Sequence, residues 1–167
     1  TPLENIEVNI QAGTKSITEK AFYQTRKINS INLPDSITTI GDFAFCESKA
    51  LKKLSISEGV KNIGRGILYK CYLSKIIIND NNLYFTVENG VLFNKDKTEL
   101  IRCINNSNSR YDIPNGVVKI CDFAFEYKEL ESVSIPKSVT YIGAYAFADC
   151  FMLKKMIMTD SIMRIES

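Results

Sequence analysis

The sequence contains no histidine. This absence excludes Ser-His-Asp and Cys-His nucleophilic sites and histidine-ligated metals, because each of them needs an imidazole. A cysteine nucleophile would need another activating group, and none lies at a defined spacing. Paired carboxylates remain, with Asp42, Glu47, Asp122 and Glu126 as candidates, but solvated surface charge is the interpretation that the pattern favours for them. We therefore do not expect an enzyme.

Long apolar runs, C-x-x-C pairs and glycine-rich phosphate loops are also missing. No run approaches the roughly 20 apolar residues of a membrane helix, and Gly64-Arg65-Gly66 alone is a weak phosphate motif. Asn79-Asp80-Asn81-Asn82 has oxygen ligands for Ca²⁺ but lacks the Gly and the distal Glu of an EF-hand loop, so it is typical of a turn. We expect no metal, no cofactor and no membrane insertion.

Charge of one sign does not dominate, since 21 Lys and Arg face 19 Asp and Glu for a net charge of +2. A balance this close argues against nucleic acid or another polyanion as a dedicated partner. Residues 1–4 do not resemble a signal peptide, so we expect that any export signal has been removed or lies outside this sequence.

What the sequence does contain is a repeat of 22 or 23 residues. One Ile recurs at Ile17, Ile40, Ile63, Ile120, Ile142 and Ile165. A small residue and an aromatic follow it at Ala21-Phe22, Ala44-Phe45, Ala124-Phe125 and Ala146-Phe147, with Ile67-Leu68 in the same place. Two apolar residues separated by one other residue recur at Val8/Ile10, Ile31/Leu33, Leu54/Ile56, Ile76/Ile78, Tyr111/Ile113, Val133/Ile135 and Met156/Met158.

Each repeat is too short to close a core of its own, so the units must stack and bury one continuous apolar face, as in a solenoid. The alternation in Leu54-Ser55-Ile56 predicts a strand with its apolar residues turned inward. Pro34, Pro114 and Pro136 follow predicted strands. Because proline lacks the N–H that a ladder needs, we expect each strand to end there.

Glycine follows the repeat Ile at Gly41, Gly64 and Gly143, whereas Thr18 and Cys121 occupy the same position in other repeats. A positive φ is therefore not required there. Close approach between neighbouring coils explains the small residues better.

Residues 79–110 interrupt the period. Gly90-Val91-Leu92-Phe93 and Glu99-Leu100-Ile101 flank the polar segment 94–98, which predicts a β-hairpin insertion. We expect a single domain over residues 1–167, with regular coils in 1–78, the irregular hairpin segment in 79–110 and regular coils again in 111–167. A repeat array extends easily to this length.

The segment 142–153 resembles the BspA-like, Treponema pallidum-type leucine-rich repeats, whose pattern is roughly Ile-Gly-x-x-Ala-Phe-x-x-Cys-x-x-Leu. Almost every position matches, and the resemblance covers nearly the whole chain, hairpin included. It implies a leucine-rich-repeat solenoid of 22–23-residue repeats. Short parallel β-strands would form the concave face, and loops, turns or short helical segments the convex face. Cys46 departs from the pattern, with Lys49 near the position that Cys150 fills.

The five cysteines cannot all pair with one another. Cys71 and Cys150 fill the cysteine position of the repeat in coils that are not neighbours, too far apart for the roughly 7 Å that a disulfide allows between α-carbons. We interpret both as core thiols. Cys46, Cys103 and Cys121 fall at other positions of the repeat.

The residues that alternate with the core along each strand form a candidate binding face, since solenoids use extended sheets for recognition. Its members are Ser30, Asn32, Lys53, Ser55, Lys75, Ile77, Ser132, Ser134, Lys155 and Ile157. Lys53 and Lys75 should lie on adjacent strands about 5 Å apart. Two like charges at this distance favour contact with an acidic group of a partner.

Three functions are compatible with this sequence. The resemblance implies a non-enzymatic recognition module at the cell surface or secreted outside the cell, with a protein–protein or adhesion role towards a protein or glycan, such as a host or matrix protein. The alternative is a structural spacer that projects another domain and has no ligand of its own. An enzyme is disfavoured by the missing histidine.

The last repeat stops at Ile165 without its small-aromatic pair. Solenoids need polar caps, and neither end of the sequence has one. Two explanations stay open: a piece of a longer array, or end-to-end self-association through the Met156 and Met158 edge.

Overall fold

The computed structural model describes residues 6–104 and 109–166 of the 167-residue chain. These residues form sixteen short β-strands, and none of them is helical. They cluster into two compact units, one ending at Val87 and the other beginning at Glu88. The boundary falls inside the segment 79–110 that breaks the repeat. The single domain expected over 1–167 stays a prediction.

The strands are short because each coil contributes only a few extended residues. The first unit contains β1 (Ile6–Asn9), β2 (Ser16–Ile17), β3 (Ile28–Asn32), β4 (Thr39–Ile40), β5 (Lys53–Ile56), β6 (Asn62–Ile63) and β7 (Lys75–Ile78), and β8 (Phe85–Glu88) contains the boundary. The second unit contains β9 (Val91–Asn94), β10 (Glu99–Cys103), β11 (Arg110–Asp112), β12 (Lys119–Ile120), β13 (Ser132–Ser134), β14 (Tyr141–Ile142), β15 (Lys155–Ile157) and β16 (Arg164–Ile165).

A parallel ladder of stacked strands organises each unit. Its order is β1-β3-β5-β7 in the first unit and β11-β13-β15 in the second. Leu54 lies in register with Ile31 on one side and Ile76 on the other, and all three side chains are buried. The seven strands predicted from the alternating pattern are thus present, and the predicted solenoid of stacked coils is confirmed within each unit.

The strands end at the prolines as predicted. In the second unit, Ile113 N and Ile135 N still donate to the next strand, at 3.0 and 2.7 Å, and Pro114 and Pro136 follow immediately. Each proline carbonyl then accepts a hydrogen bond from the residue three places on, Val117 or Val139. The ladder therefore ends in a tight turn that carries the chain away from the strand.

A second parallel ladder lies on the other side of each unit, where loops, turns or short helical segments were expected. It joins two-residue strands in the order β2-β4-β6 in the first unit. In the second unit it joins the longer β10 to the two-residue strands β12, β14 and β16, in that order. Its inward residue is the repeat Ile, with Ile17, Ile40 and Ile63 in register. The expected turns are present around it, whereas the described residues contain no helical segment there.

The turns after β2, β4, β6, β12 and β14 each use two residues in the left-handed region, three and seven places after the repeat Ile. Ten residues are involved: Lys20, Gln24, Phe43, Glu47, Gly66, Lys70, Phe123, Tyr127, Tyr145 and Asp149. Only Gly66 adopts a positive φ without steric cost. The turn persists because successive turns hydrogen-bond to one another, as Phe43 N does to Arg65 O at 3.0 Å and Phe123 N to Ala144 O at 3.0 Å.

Close approach between coils is confirmed at the glycines that follow the repeat Ile. None of Gly41, Gly64 and Gly143 has a positive φ. A Cβ on Gly64 would lie 2.5 Å from the backbone N of Asp42, and one on Gly143 would lie 2.6 Å from that of Asp122. The neighbouring coil therefore leaves no room for a side chain.

The predicted hairpin is formed by β9 and β10, which pair antiparallel with Leu100 opposite Phe93. It is more than an insertion, because Glu99 and Leu100 also pair in parallel with Lys119 and Ile120. Strand β10 thus takes the place of a second-ladder strand, and Leu100 takes the place of the repeat Ile. The core of the second unit runs continuously from the hairpin into the coils.

The last coil leaves apolar side chains exposed. Met156 is half-buried, whereas Ile157, Met158 and Ile165 are exposed. End-to-end self-association through this edge stays a prediction.

The shared apolar column can be tested at Leu54, which is fully buried between two coils. Leu54→Ala should lower the free energy of unfolding by about 3 kcal/mol, because it removes apolar burial and leaves a cavity. Ser55→Ala, on the adjacent outward position, is the control and should change it by less than about 0.5 kcal/mol. Urea denaturation measures the free energy of unfolding of both variants. Equal losses in the two variants would contradict a shared apolar column.

The close approach can be tested at Gly64. Gly64→Ala should cost about 2 to 3 kcal/mol, since the atoms that its Cβ would meet include backbone of the neighbouring coil. Thr18→Ala is the matched control, because Thr18 occupies the same position in the coil of β2 and is exposed. Thermal unfolding should show a much lower Tm for the glycine variant alone; a tolerated alanine at position 64 would refute the packing argument.

Candidate binding face

The outward residues of the first-unit ladder form two columns, which we call the first ladder face. One column contains Glu7, Ser30, Lys53 and Lys75, and the other contains Asn9, Asn32, Ser55 and Ile77. The structure thus brings together all six residues that the sequence predicted for this unit. Lys75 is exposed and Ser30 is nearly covered by its neighbours in the column.

Glu7 and Asn9 also belong to the first ladder face, and neither was among the residues predicted from the sequence. They precede Ser30 and Asn32 by one period, so the repeat arithmetic could have found them. Both side chains contact Asn32, whose Nδ2 donates to Glu7 Oε1 and to Asn9 Oδ1 at 3.0 Å. This polar contact fixes one end of the face.

The other end of the first ladder face carries two adjacent cations. Lys53 and Lys75 are register partners on neighbouring strands, which places their α-carbons about 5 Å apart. Among the ion pairs formed within residues 6–104 and 109–166, neither lysine takes part in one. The repulsion between them is relieved only by solvent or by an external anion.

The second ladder face comprises the outward residues of the second-unit ladder. Its columns are Arg110, Ser132 and Lys155, and Asp112, Ser134 and Ile157. The four residues predicted for this unit are therefore together, with Arg110 and Asp112 as additional members. Arg110 Nη2 lies 3.1 Å from Asp112 Oδ1, so these two charges satisfy each other. The second ladder face offers less uncompensated charge than the first.

The candidate carboxylates have structural contacts. Asp42 Oδ1 accepts a hydrogen bond from Arg65 N at 3.0 Å, and Asp122 Oδ1 accepts one from Ala144 N at 3.0 Å. Each of these aspartates therefore caps the turn of the next coil. Glu126 is completely buried against Arg102 at 3.3 Å, so its interpretation as solvated surface charge was wrong. Its partner Arg102 lies 24 residues away on the hairpin, so the spacing of residues along the sequence could not predict this contact.

The Asn-rich segment is a turn, as predicted. Asn81 N donates to Asn79 Oδ1 at 2.9 Å. Asn82 is completely buried, and its amide donates to Ser57 O and Val60 O while its Oδ1 accepts from Tyr84 N and Phe85 N, at 2.8 to 3.0 Å. The Asn82 side chain thus supplies backbone hydrogen bonds where the regular coil ends.

Comparison with known proteins decides the family. A family model for the BspA-type leucine-rich repeat region matches residues 3–97 and 102–167, in six copies. This chain belongs to the BspA-type leucine-rich repeat family. The leucine-rich-repeat solenoid implied by the resemblance is therefore confirmed. Among curated proteins, none matches this chain.

Solved structures of other proteins share the fold. A leucine-rich cell surface protein from Faecalibacterium prausnitzii has 31% identity and a TM-score of 0.83, over 93% of this chain and 42% of its own. The pneumococcal vaccine antigen PcpA has 25% identity and a TM-score of 0.74, over 89% of this chain and 43% of its own. A leucine-rich repeat protein from Eubacterium ventriosum has 23% identity and a TM-score of 0.56, over 90% of this chain and 59% of its own. This BspA-type chain thus spans less than half the length of the first two.

The cysteine position of the BspA-type repeat satisfies a backbone carbonyl of the preceding coil. Cys71 Sγ donates to Phe45 O at 2.6 Å, and Cys150 Sγ donates to Phe125 O at 3.0 Å. Both are free thiols, and Cys71 is buried in the core as predicted, whereas Cys150 is only half-buried. Ser48, rather than Lys49, fills this position in the coil of β4, where its hydroxyl donates to Phe22 O. A small donor at this position therefore joins neighbouring turns.

Lys128 departs from the BspA-type repeat pattern, and this departure has an electrostatic consequence. It fills the cysteine position above the hairpin, and its buried ammonium reaches Ile104 O at 3.5 Å. Burial, and then the nearby Arg102 guanidinium, lower the pKa of Lys128 to about 8, against the smaller opposing effects of Glu126, Cys103 and Cys150.

The described residues contain no helix able to cross a bilayer.

The lowered pKa of Lys128 predicts a pH-dependent stability. Below pH 8 the ammonium is charged in both states, so its burial penalty is fully present. Between pH 8 and 10.5 only the folded state loses the proton, and the free energy of unfolding attributable to Lys128 rises. The rise should be about 2 to 3 kcal/mol.

Comparing wild type with Lys128→Met isolates this effect, because the variant lacks the ammonium and keeps every other titratable group. Their free energies of unfolding, measured by urea denaturation from pH 7 to 10.5, should differ most at pH 7 in favour of the variant and converge as pH rises. Lys137→Met, at an exposed position, is the control. Parallel profiles for wild type and Lys128→Met would contradict the prediction.

Proposed function

We propose that this chain is a protein-interaction module exposed at the cell surface or secreted, and that the first ladder face is its binding surface. The observation that carries the proposal is the pair Lys53 and Lys75, two adjacent cations on an open sheet face without an ionic partner among the described residues. Such a pair is stabilised by an acidic group on a partner.

The relatives support the cellular location. The Faecalibacterium prausnitzii protein is described as a cell surface protein, and PcpA as a vaccine antigen. A repeat fold with a surface location is suited to recognition, because stacked strands present a rigid surface that can be varied residue by residue. An adhesion role towards a host or matrix protein is the finer form of the proposal, and the likeness of the fold alone does not establish it.

The polar residues of the first ladder face would give specificity. Asn32 and Ser55 are half-buried neighbours at the centre of the face, with hydrogen-bonding groups on a scaffold held by buried Ile31 and Leu54. A partner would add hydrogen bonds at this centre, while Lys53 and Lys75 steer an acidic surface towards it.

The proposal predicts that bulky substitutions at the centre of the face abolish binding. The chain is tested by surface plasmon resonance against immobilised purified matrix proteins and mucins. Asn32→Arg with Ser55→Arg should weaken saturable binding at least tenfold by steric block. Gln11→Arg with Asn62→Arg adds the same charge at exposed positions outside the ladder face and should have little effect.

Circular dichroism and Tm confirm that each variant folds. Binding that survives the double substitution on the ladder face would refute this face as the site. No binding to any protein tested would favour the alternative role, a spacer that projects another domain without a ligand of its own.

A further inference from the structure

Charge is unevenly distributed between the two units. The first unit has 11 Lys and Arg against 8 Asp and Glu, whereas the second has 10 against 11. The small net charge of the whole chain therefore conceals a basic unit, and the sequence argument against a polyanionic partner does not apply to this unit by itself.

The excess positive charge of the first unit is concentrated where three consecutive ladder strands begin. We call this surface the basic edge. Its cations lie at the start of β3, β5 and β7 or within four residues before them: Arg26, Lys27, Lys49, Lys52, Lys53 and Lys75. Backbone bonds from Lys52 N to Asn29 O and from Ser74 N to Lys52 O, at 2.8 and 2.9 Å, hold the three coils side by side.

The cations of the basic edge have no ionic partner within residues 6–104 and 109–166. The ion pairs of the first unit join Lys20 to Glu19 and Arg65 to Asp42. Arg26 and Lys49 are 23 residues apart, at the same position of consecutive repeats, and both are exposed. Pairs of like charges one coil apart, here and at Lys53 and Lys75, match a ligand that carries several anionic groups.

A cavity of about 340 Å³ opens on the basic edge, lined by Gln24, Arg26, Glu47 and Lys49. The amide of Gln24 donates to Glu47 Oε2 at 2.8 Å and to the hydroxyl of Tyr23 at 3.0 Å. The Glu47 carboxylate is thus held in place by Gln24 in a cavity wall that also contains Arg26 and Lys49. The volume of the cavity lies at the small end of the range for ligand sites and suits one or two sugar rings.

Glu47 distinguishes between classes of anionic ligand. A carboxylate accepts hydrogen bonds and cannot donate them, so it repels the carboxylates of an acidic peptide. It does bind hydroxyl groups, which a sugar ring supplies in number, while Arg26 and Lys49 bind sulfate or carboxylate groups on the same ring. The combination of donors, acceptor and cavity favours a hydroxylated ligand that also carries negative charge.

We propose that the basic edge binds an anionic polysaccharide, with one sugar unit in the cavity between Gln24, Arg26, Glu47 and Lys49. The remaining lysines extend the contact along the chain of the polymer. The basic edge shares Lys53 and Lys75 with the first ladder face, so the tests separate the two proposals at other residues. The polysaccharide site is tested at the cavity residues Arg26, Glu47 and Lys49, and the protein-binding face at Asn32 and Ser55, which do not line the cavity.

Isothermal titration calorimetry of the full chain tests the site with three probes: a heparin dodecasaccharide, a hyaluronan oligosaccharide and poly-glutamate. Arg26→Gln with Lys49→Gln should weaken saccharide binding at least tenfold. Lys15→Gln with Lys61→Gln, two exposed lysines of the same unit outside the basic edge, removes the same charge and should weaken it less than twofold. Heparin and hyaluronan separate sulfate recognition from carboxylate recognition.

Glu47→Gln gives the sharpest test. If only charge attracts the ligand, removing this carboxylate tightens binding; if Glu47 accepts sugar hydroxyls, the isosteric variant weakens it at least threefold. Tighter binding by Glu47→Gln, equal losses in the two double variants, no saccharide binding, or poly-glutamate binding as tightly as either saccharide would each overturn the proposal. The last outcome would assign the edge to an acidic protein instead.

Discussion

The approach of one coil to the next is the constraint on which the other features of this chain depend. The glycines after the repeat Ile let neighbouring backbones come so close that a Cβ on Gly64 would lie 2.5 Å from Asp42 N. At that separation backbone N–H and C=O groups pair between coils in both ladders and in the turns. The turn can then keep non-glycine residues at positive φ, because its hydrogen bonds are made with the next coil.

The same constraint explains the polar residues inside the units. A carbonyl that faces the next coil needs a donor, and a residue eight places after the repeat Ile supplies it as Ser48, Cys71 or Cys150. Above the hairpin the coil beneath is different. Lys128 fills this position and reaches Ile104 O, and the buried Arg102–Glu126 pair lies close to it. The electrostatics of the second unit therefore follow from a local break in the repeat.

Function in such a fold is carried by residues that the stacking leaves outward. The core positions specify the family and the coil, whereas outward positions are free to vary and set the surface chemistry. In the first unit this surface has polar residues on its ladder face and unpaired cations at its edge. The second unit, in which Arg110 pairs with Asp112, differs in surface charge although its backbone pattern is the same.

The period of 22 or 23 residues by itself determined the seven ladder strands, their register and the outward position of residues such as Lys53 and Lys75, because stacked identical units have only one way to bury a common face. The same period could also have predicted the outward positions of Glu7 and Asn9. Only the tertiary structure decided the second ladder, whose two-residue strands are too short for a periodic signal. It also decided the burial of Glu126 and Lys128 and the cavity around Glu47, because those environments depend on side chains from coils and hairpin more than 20 residues apart.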